Sequence, residues 1–370
     1  MVNHVVVIGG SYCGLGITHR LLKNRSRIPD LKVTLISKNS HLYWNIASIR
    51  AIIPGVVKFD ELLQPIEPGL AQYGPGNAEF VVGSATGVDA TAKTVKVATA
   101  EGDRDVPYDY LVIATGAGCS DESMPWKADG TYEEILDSIK KMGEKVKAAK
   151  HITIVGGGST GCELSAELRY EFKDKTVVLL SGTPELISGD AAAKAIEKEL
   201  VKLGVEIRKS VRAESTTVLP DGRTEVKLGN GETLITDLYL GTTGLTPNSS
   251  FLPKDFLQPN KFIDVDEHFR VRTAENVWAL GDVVSRPNAA YLHTDPQSAG
   301  VAKNIEAAIA KRPQQIVKSM PFSAIVCATG RDRGAGRLGI VPVPSFMAWA
   351  LKGRTLSIER AASYINGSHW

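Results

Sequence analysis

The chain has 370 residues, with 43 Lys and Arg against 41 Asp and Glu, for a formal net charge of +2. That length holds two or three compact domains, and a near-neutral balance with no long basic run makes nucleic acid an unexpected partner. No apolar stretch approaches the roughly 20 residues that span a bilayer. Four cysteines, Cys13, Cys119, Cys162 and Cys327, fall at no CxxC or Cys/His metal spacing. With no charged leader before the first apolar run and no Gly at position 2, the expectation is reduced thiols and a cytoplasmic location.

The first element is "VVVIGGSYCGLG", Val5 to Gly16, read as a buried strand, a glycine turn and the start of a helix. A second strand, "KVTLIS" (32 to 37), follows, so this is the opening βαβ of a dinucleotide-binding unit. Gly9, Gly10 and Gly14 shape a turn whose backbone N–H groups face a pyrophosphate at a helix N-terminus. Ser11 stands where the glycine of closest approach is expected; it is the smallest replacement that keeps a donor. The position closing the second strand, where an acid holds the adenosine ribose, is Ser37, followed by Lys38. A serine makes one weaker bond where a carboxylate accepts two hydroxyls, so the adenosine half is expected to be held modestly, by Lys38 and backbone groups. Residues 80 to 117 alternate like an antiparallel meander and end in a buried strand, "YLVIATG", with Ala114, Thr115 and Gly116 at its close.

At residue 151 the pattern begins again. "HITIVGGGSTG" (151 to 161) echoes "HVVVIGGSYCG" (4 to 14), with the full Gly156, Gly158 and Gly161 spacing, a helix-like "CELSAELRYEF" and a second strand "TVVLLS" (176 to 181). One such turn is weak evidence; two in matching βαβ context are strong. Cys13 occupies the place that Thr160 holds in the echo and reads as a small turn residue. The second unit closes on Ser181 with no arginine beside it in sequence, which leans toward NADH over NADPH. A second meander (205 to 244) ends in "TTG". Next, "NVWALGDVV" (276 to 284) predicts a strand with Asp282 at its carboxyl end, and Asp295 with Pro296 predicts a helix start, as N-cap and first helical residue. Finally "PSFMAWALKG" (344 to 353) predicts a short helix burying Phe346, Trp349 and Ala350, with Lys352 near its end. Core packing is favoured there over membrane-surface contact.

On Gly9, Gly14, "ATG" at 114 to 116, Gly156, Gly158, Gly161, Glu163, "TTG" at 242 to 244 and "ALGD" at 279 to 282, the chain resembles the pyridine nucleotide-disulfide oxidoreductase superfamily. "SKNSHLYWNIASIRAII" (37 to 53), "CATGRDRGAGRLG" and "ALKGRTLSIERAASYIN" resemble its apoptosis-inducing factor and ferroptosis-suppressor branch. The resemblance implies an α/β fold with two Rossmann-like dinucleotide-binding domains, glutathione-reductase-like. An FAD domain would be formed by residues 1–117 and 245–315, an NAD(P)H domain by 118–244, and a short C-terminal region near the flavin by 316–370.

It further implies hydride transfer from NAD(P)H to FAD and electron release to a quinone-like small-molecule acceptor. The alternatives are a tailoring oxidoreductase of a biosynthetic pathway and an apoptosis-inducing-factor-like signalling flavoprotein. By the same resemblance Asp282 contacts the flavin ribityl or phosphate region, and Tyr43 and Trp44 lie along the flavin face. His293 and Gln297 stand near the flavin edge at a helix start, Glu163 near the nicotinamide, and Lys352 near the flavin. Members that reduce disulfides carry a CxxxxC or CxxC pair, absent here, so disulfide reduction is not expected. Peripheral membrane or mitochondrial association through the C-terminal region is an open expectation.

Overall fold

The computed structural model describes residues 2–284 and 290–370. In chain order, β1 (Asn3–Ile8), α1 (Tyr12–Lys23) and β2 (Leu31–Ser37) form the first βαβ unit, joined by β3 (Ala78–Val82) and β4 (Tyr110–Ile113). After α2 (Tyr132–Ala148), the second unit is β5 (His151–Val155), α3 (Ser159–Glu171) and β6 (Thr176–Leu180), extended by α4 (Ala193–Leu203), β7 (Glu206–Arg208) and β8 (Leu238–Gly241). The chain then adds β9 (Val277–Ala279), α5 (Tyr291–Ile309) and a hairpin-rich end of β10 (Ala324–Ala328), β11 (Gly334–Leu338) and β12 (Val341–Val343).

Two all-parallel sheets result. The first has strand order β9-β4-β1-β2-β3 and the second β7-β6-β5-β8. Val5, Val6 and Val7 are wholly buried, as a continuous apolar run must be when helices cover both faces of a parallel sheet. Both expected meanders form, as Ser84–Asp89, Thr94–Thr99 and Gly102–Pro107, and as Ala213–Val218, Thr224–Leu228 and Thr233–Thr236. The mixed α/β fold with two Rossmann-like sheets is therefore as expected from the paired glycine turns.

Two local expectations are corrected. The helix after Asp282 starts at Tyr291, with Ala290 as an extended N-cap, so Asp295 is not its cap and Pro296 lies inside it. Proline marks a helix start because the missing N–H costs nothing there, yet here the helix runs five residues further back. Asp295 instead pairs with Arg20 of α1 at 2.8 Å. In the C-terminal segment Phe346 is 70% exposed and Ala350 is exposed, while Ala348 and Gly353 are buried. The reason is a π turn: Ser345–Ala348 is α-helical, but Trp349–Gly353 widens, with Arg354 N donating to Trp349 O across five residues. Each face then shifts by a residue relative to a 3.6-residue helix. Trp349 is half-buried, its Nε1 donating to Arg331 O at 2.7 Å.

The last residues dock on α1. Trp370 stacks on His19, whose Nδ1 meets the Tyr73 hydroxyl at 2.9 Å, and Lys23 donates to the Trp370 carbonyl at 2.6 Å. Burial pushes the His19 pKa down to about 4. The unfolded chain therefore binds a proton that the folded one refuses between the ordinary 6.5 and 4. The resulting stability is complete above pH 6.5 and is lost as pH falls through that window, on the order of 3 kcal/mol in all. Denaturant titrations at pH 7.5 and 4.5 will read this loss, and His19→Gln will flatten that part of the profile; an unchanged profile in the variant refutes the assignment.

Candidate dinucleotide and redox site

The two glycine turns are built alike. A Cβ on Gly9 (φ +118°) would lie 2.3 Å from Ala114 O, and one on Gly156 (φ +124°) would lie 2.5 Å from Thr242 Oγ1. Gly14 and Gly161 leave no space either, at 1.7 Å from Gly9 O and 1.9 Å from Gly156 O. Gly10 and Gly157 sit over the serines that close the second strands, at 2.6 Å from Ser37 Oγ and 2.5 Å from Ser181 Oγ. These glycines are demanded by the packing of strand against helix.

Gly158 is different. Its φ is −77° and nothing lies within 4 Å of where its Cβ would be. It caps the N-terminus of α3 with no side-chain partner, as Ser11 caps α1. A glycine that the protein does not need, in open space above a helix N-terminus, is the cradle expected for a phosphate group. The residues present thus fit dinucleotides at both turns. Ser37 offers less than an acid would: its hydroxyl already donates to Asn39 O at 2.7 Å.

One cavity of about 1760 Å³ runs between the turns. Gly9, Gly10, Ser11, Ser37, Lys38, Ala114, Thr115, Gly116, Gly158, Glu163, Asp282, His293 and Lys352 all line it. Gly14, Gly156 and Gly161 stand behind its wall. Asp282 forms an ion pair with Lys127, a partner the sequence reading missed. Lys38 reaches the Asp129 carbonyl at 3.3 Å. The His293 Nδ1 is buried with no hydrogen-bond partner among the described residues. Burial lowers the His293 pKa against the opposing pull of Asp282, so the ring is neutral at physiological pH.

Trp44 does not line the cavity. It is fully buried, edge-on to Tyr12, Tyr291 and Tyr364, with Nε1 donating to Leu356 O at 2.9 Å. Tyr12, Tyr43 and Tyr291 are aromatic rings that reach the cavity here in its place. An aromatic pair in an apolar segment shows no periodicity that says which ring faces inward. Gln297 is buried too, its Oε1 accepting from Gly281 N at 2.8 Å, which fixes the turn carrying Asp282. Cys13 packs beside Gly281, and burial, with Asp282 next, drives its thiol pKa far up. An inert turn residue is what the echo suggested.

Lys352 and Glu163 meet at 2.6 Å, and Glu163 also accepts from Ala328 N at 2.9 Å. Burial alone would lower the Lys352 pKa, but Glu163, with Cys327, outweighs it, and the ammonium form is favoured. One turn along α3, the fully buried Glu167 pairs with Arg50, whose guanidinium also donates to Gly353 O at 2.8 Å and Arg354 O at 2.9 Å. Two carboxylates on one helix face thus hold the C-terminal end of the π turn, Glu163 through Lys352 and Glu167 through Arg50. Arg50 was missed because a lone arginine in "NIASIRAII" reads as a solvated helix position; the Glu163/Glu167 spacing was the available signal. The fold also brings Cys162 and Cys327, distant in sequence, together as free buried thiols, their mutual hydrogen bond and then burial raising the Cys327 pKa.

The chain belongs to the pyridine nucleotide-disulphide oxidoreductase family, whose sequence profile matches residues 3–310. Membership places it among flavin- and NAD(P)H-linked oxidoreductases of small-molecule acceptors. It is 37% identical over 372 residues to the oxidoreductase ptaL of Pestalotiopsis fici, covering 99% of this chain and 100% of that protein. Human ferroptosis suppressor protein 1 is 26% identical over 371 residues, covering 96% and 94%. The fold matches sulfide:quinone oxidoreductase from Aquifex aeolicus with a TM-score of 0.78 at 21% identity, over 99% of this chain and 92% of that one. Apoptosis-inducing factor homologues of Dictyostelium discoideum are also similar, at 24% and 25% identity, covering 98% of this chain in each case and 96% and 91% of theirs. No helix among the described residues is long and apolar enough to cross a membrane.

Proposed function

We propose that this protein uses NAD(P)H to reduce an FAD held along the first glycine turn and passes the electrons to a quinone-like aromatic acceptor. The observation that carries this reading is the single cavity shared by both glycine turns, with the Glu163–Lys352 pair on its wall. When bound, the flavin supplies the hydride acceptor and the route for electrons. The protein's part is to bind, align and exclude water. Gly9, Gly10 and Ser11 present N–H groups to the FAD pyrophosphate; Ser37 and Lys38 border the adenosine; Ala114, Thr115 and Gly116 line the floor; Asp282, steadied by Lys127 and Gln297, accepts hydroxyls of the ribityl chain.

Gly156, Gly158 and Gly161 form the nicotinamide dinucleotide turn. Glu163 stands at the nicotinamide end, and the Lys352 ammonium provides a fixed positive charge and a proton donor there. His293, neutral, is a hydrogen-bonding group at the mouth of α5. The matching domain division is 1–117 with 245–315 for FAD, 118–244 for NAD(P)H and 316–370 as a C-terminal cover. The apolar rim of that cover, with Phe346, Met347, Leu351 and Ile340 exposed, supports access for a hydrophobic acceptor and contact with a lipid surface. A second reading, a tailoring oxidoreductase of a small-molecule biosynthetic pathway, keeps the same cofactors and takes a specialised substrate as acceptor in place of a quinone.

Reconstituted protein is expected to be yellow, to bleach anaerobically with NADH or NADPH, and to be reoxidised by short-chain quinones. A flavin that stays oxidised with both nucleotides refutes the oxidoreductase reading. Bleaching without reoxidation by any quinone refutes the acceptor and favours the second reading. Because Ser37 replaces an acid, FAD is expected to be lost in part during purification and restored by added FAD.

A further inference from the structure

We infer that the second dinucleotide site carries a subsite for a 2′-phosphate, with Arg212 as its cation, and that NADPH rather than NADH is the nucleotide it selects. The inference deepens the proposed function and rests on the second glycine turn being a nucleotide site.

In such a unit the residue that closes the second strand lies under the glycine turn and faces the adenosine ribose, where a carboxylate holds the 2′-hydroxyl of NADH and repels the phosphate of NADPH. The structure identifies that residue as Ser181: it follows β6, and its Oγ lies 2.5 Å from where a Cβ on Gly157 would be. No acid takes its place in the adjoining turn, which continues Gly182 and Thr183. The Ser181 hydroxyl is occupied within that turn, at 3.0 Å from Thr183 Oγ1 and 3.2 Å from Thr183 O. Glu185 is the first carboxylate beyond the strand, and its Oε2 lies near Gly189, 3.6 Å from the position of a Cβ there.

The nearby cation comes from the segment that follows β7. After β7 the chain runs back along this turn, held by Val211 N to Ser181 O at 2.9 Å and Ser210 N to Thr183 O at 3.1 Å. This lays the Arg212 side chain over Gly182, with Cγ 2.9 Å and Nε 3.3 Å from where a Gly182 Cβ would sit. Any larger residue at 182 would displace it. The neighbouring basic side chains are neutralised: Arg208 by Glu206 at 2.7 Å and Glu232 at 3.6 Å, and Lys209 by Glu197 at 2.9 Å. Arg212 makes no ion pair among the described residues and is exposed. An arginine fork without a carboxylate, beside a ribose site without an acid, suits a phosphate dianion, which it binds by paired charge-assisted hydrogen bonds. In sequence the arginine is thirty-one positions from Ser181, which is why reading along the strand end alone leaned the other way.

The experiment is calorimetric titration of the FAD-loaded protein with NADP⁺, NAD⁺, 2′,5′-ADP and 5′-AMP. NADP⁺ and 2′,5′-ADP are expected to bind at least about tenfold more tightly than NAD⁺ and 5′-AMP. Arg212→Ala is expected to erase that difference, leave NAD⁺ binding unchanged, and leave the melting temperature unchanged because the side chain is exposed and unpaired. Arg212→Glu is expected to reverse the preference. Equal affinities in the parent protein, or a preference that survives Arg212→Ala, overturns the inference. If none of the four binds, the inference falls together with the second-turn assignment. If NADPH binds as expected but does not reduce the flavin, the oxidoreductase reading falls and the 2′-phosphate subsite stands.

Discussion

Lys352→Met is expected to lower the unfolding free energy by about 2–4 kcal/mol and nucleotide-driven turnover by on the order of 100-fold. The stability loss comes from Glu163. Its side chain is 5% exposed and keeps one backbone donor, Ala328 N, when the ammonium at 2.6 Å is removed. An isolated buried carboxylate is costly, and the lysine's own 23% exposure places the effect below that of a fully buried pair. The turnover loss comes from the cavity, where Lys352 is a fixed positive charge on the wall.

The two effects separate in a double-mutant cycle. Glu163→Gln added to Lys352→Met removes the stranded charge, so stability is expected to return to within about 1 kcal/mol of the parent, while turnover stays low. Denaturant unfolding and stopped-flow flavin reduction read the two quantities. Turnover that recovers together with stability in the double variant would assign the pair a structural role only.

The parts of the fold that were legible in the sequence are those set by short-range sterics. Gly9 and Gly14, and Gly156 and Gly161, are required by atoms a few residues away or one strand over, so the same string recurs wherever a strand turns tightly into a helix. The repeat at residue 151 exposed the two sheets for that reason. What stayed hidden depends on which distant element arrives. Arg50 and Arg212 are single basic residues whose surroundings come from α3 and from the strand-end turn at Ser181. Trp44 and Tyr43 are adjacent apolar rings, and only the docking of the C-terminal segment decides that the indole is covered. The π turn at Trp349–Gly353 has no compositional mark at all; Arg50 and Glu163, which hold its C-terminal end, come from distant elements. Pro296 misled because a proline tolerated within a helix and one that begins it look the same in sequence.

Gly158→Val is expected to weaken pyridine nucleotide binding by on the order of 100-fold, with flavin content unchanged. The reasoning turns on the contrast among glycines in one turn. At Gly161 a Cβ would lie 1.9 Å from Gly156 O, so any substitution there damages the fold before it reports on a ligand. At Gly158 the backbone is in an ordinary region, φ −77°, and no protein atom lies within 4 Å, so a side chain is accepted at the cost of a poorer N-cap, about 1 kcal/mol. Its branched carbons then fill the space above the first N–H groups of α3, where the pyrophosphate is placed. The first unit supplies the control, because Ser11 already carries a Cβ in the equivalent position: Gly158→Ser is expected to retain most nucleotide affinity, and Ser11→Gly to leave FAD bound. Equilibrium titration with NADP⁺ and the melting temperature of each variant check these outcomes. A Gly158→Val protein that binds nucleotide as tightly as the parent places the pyrophosphate elsewhere and removes the second turn from the site.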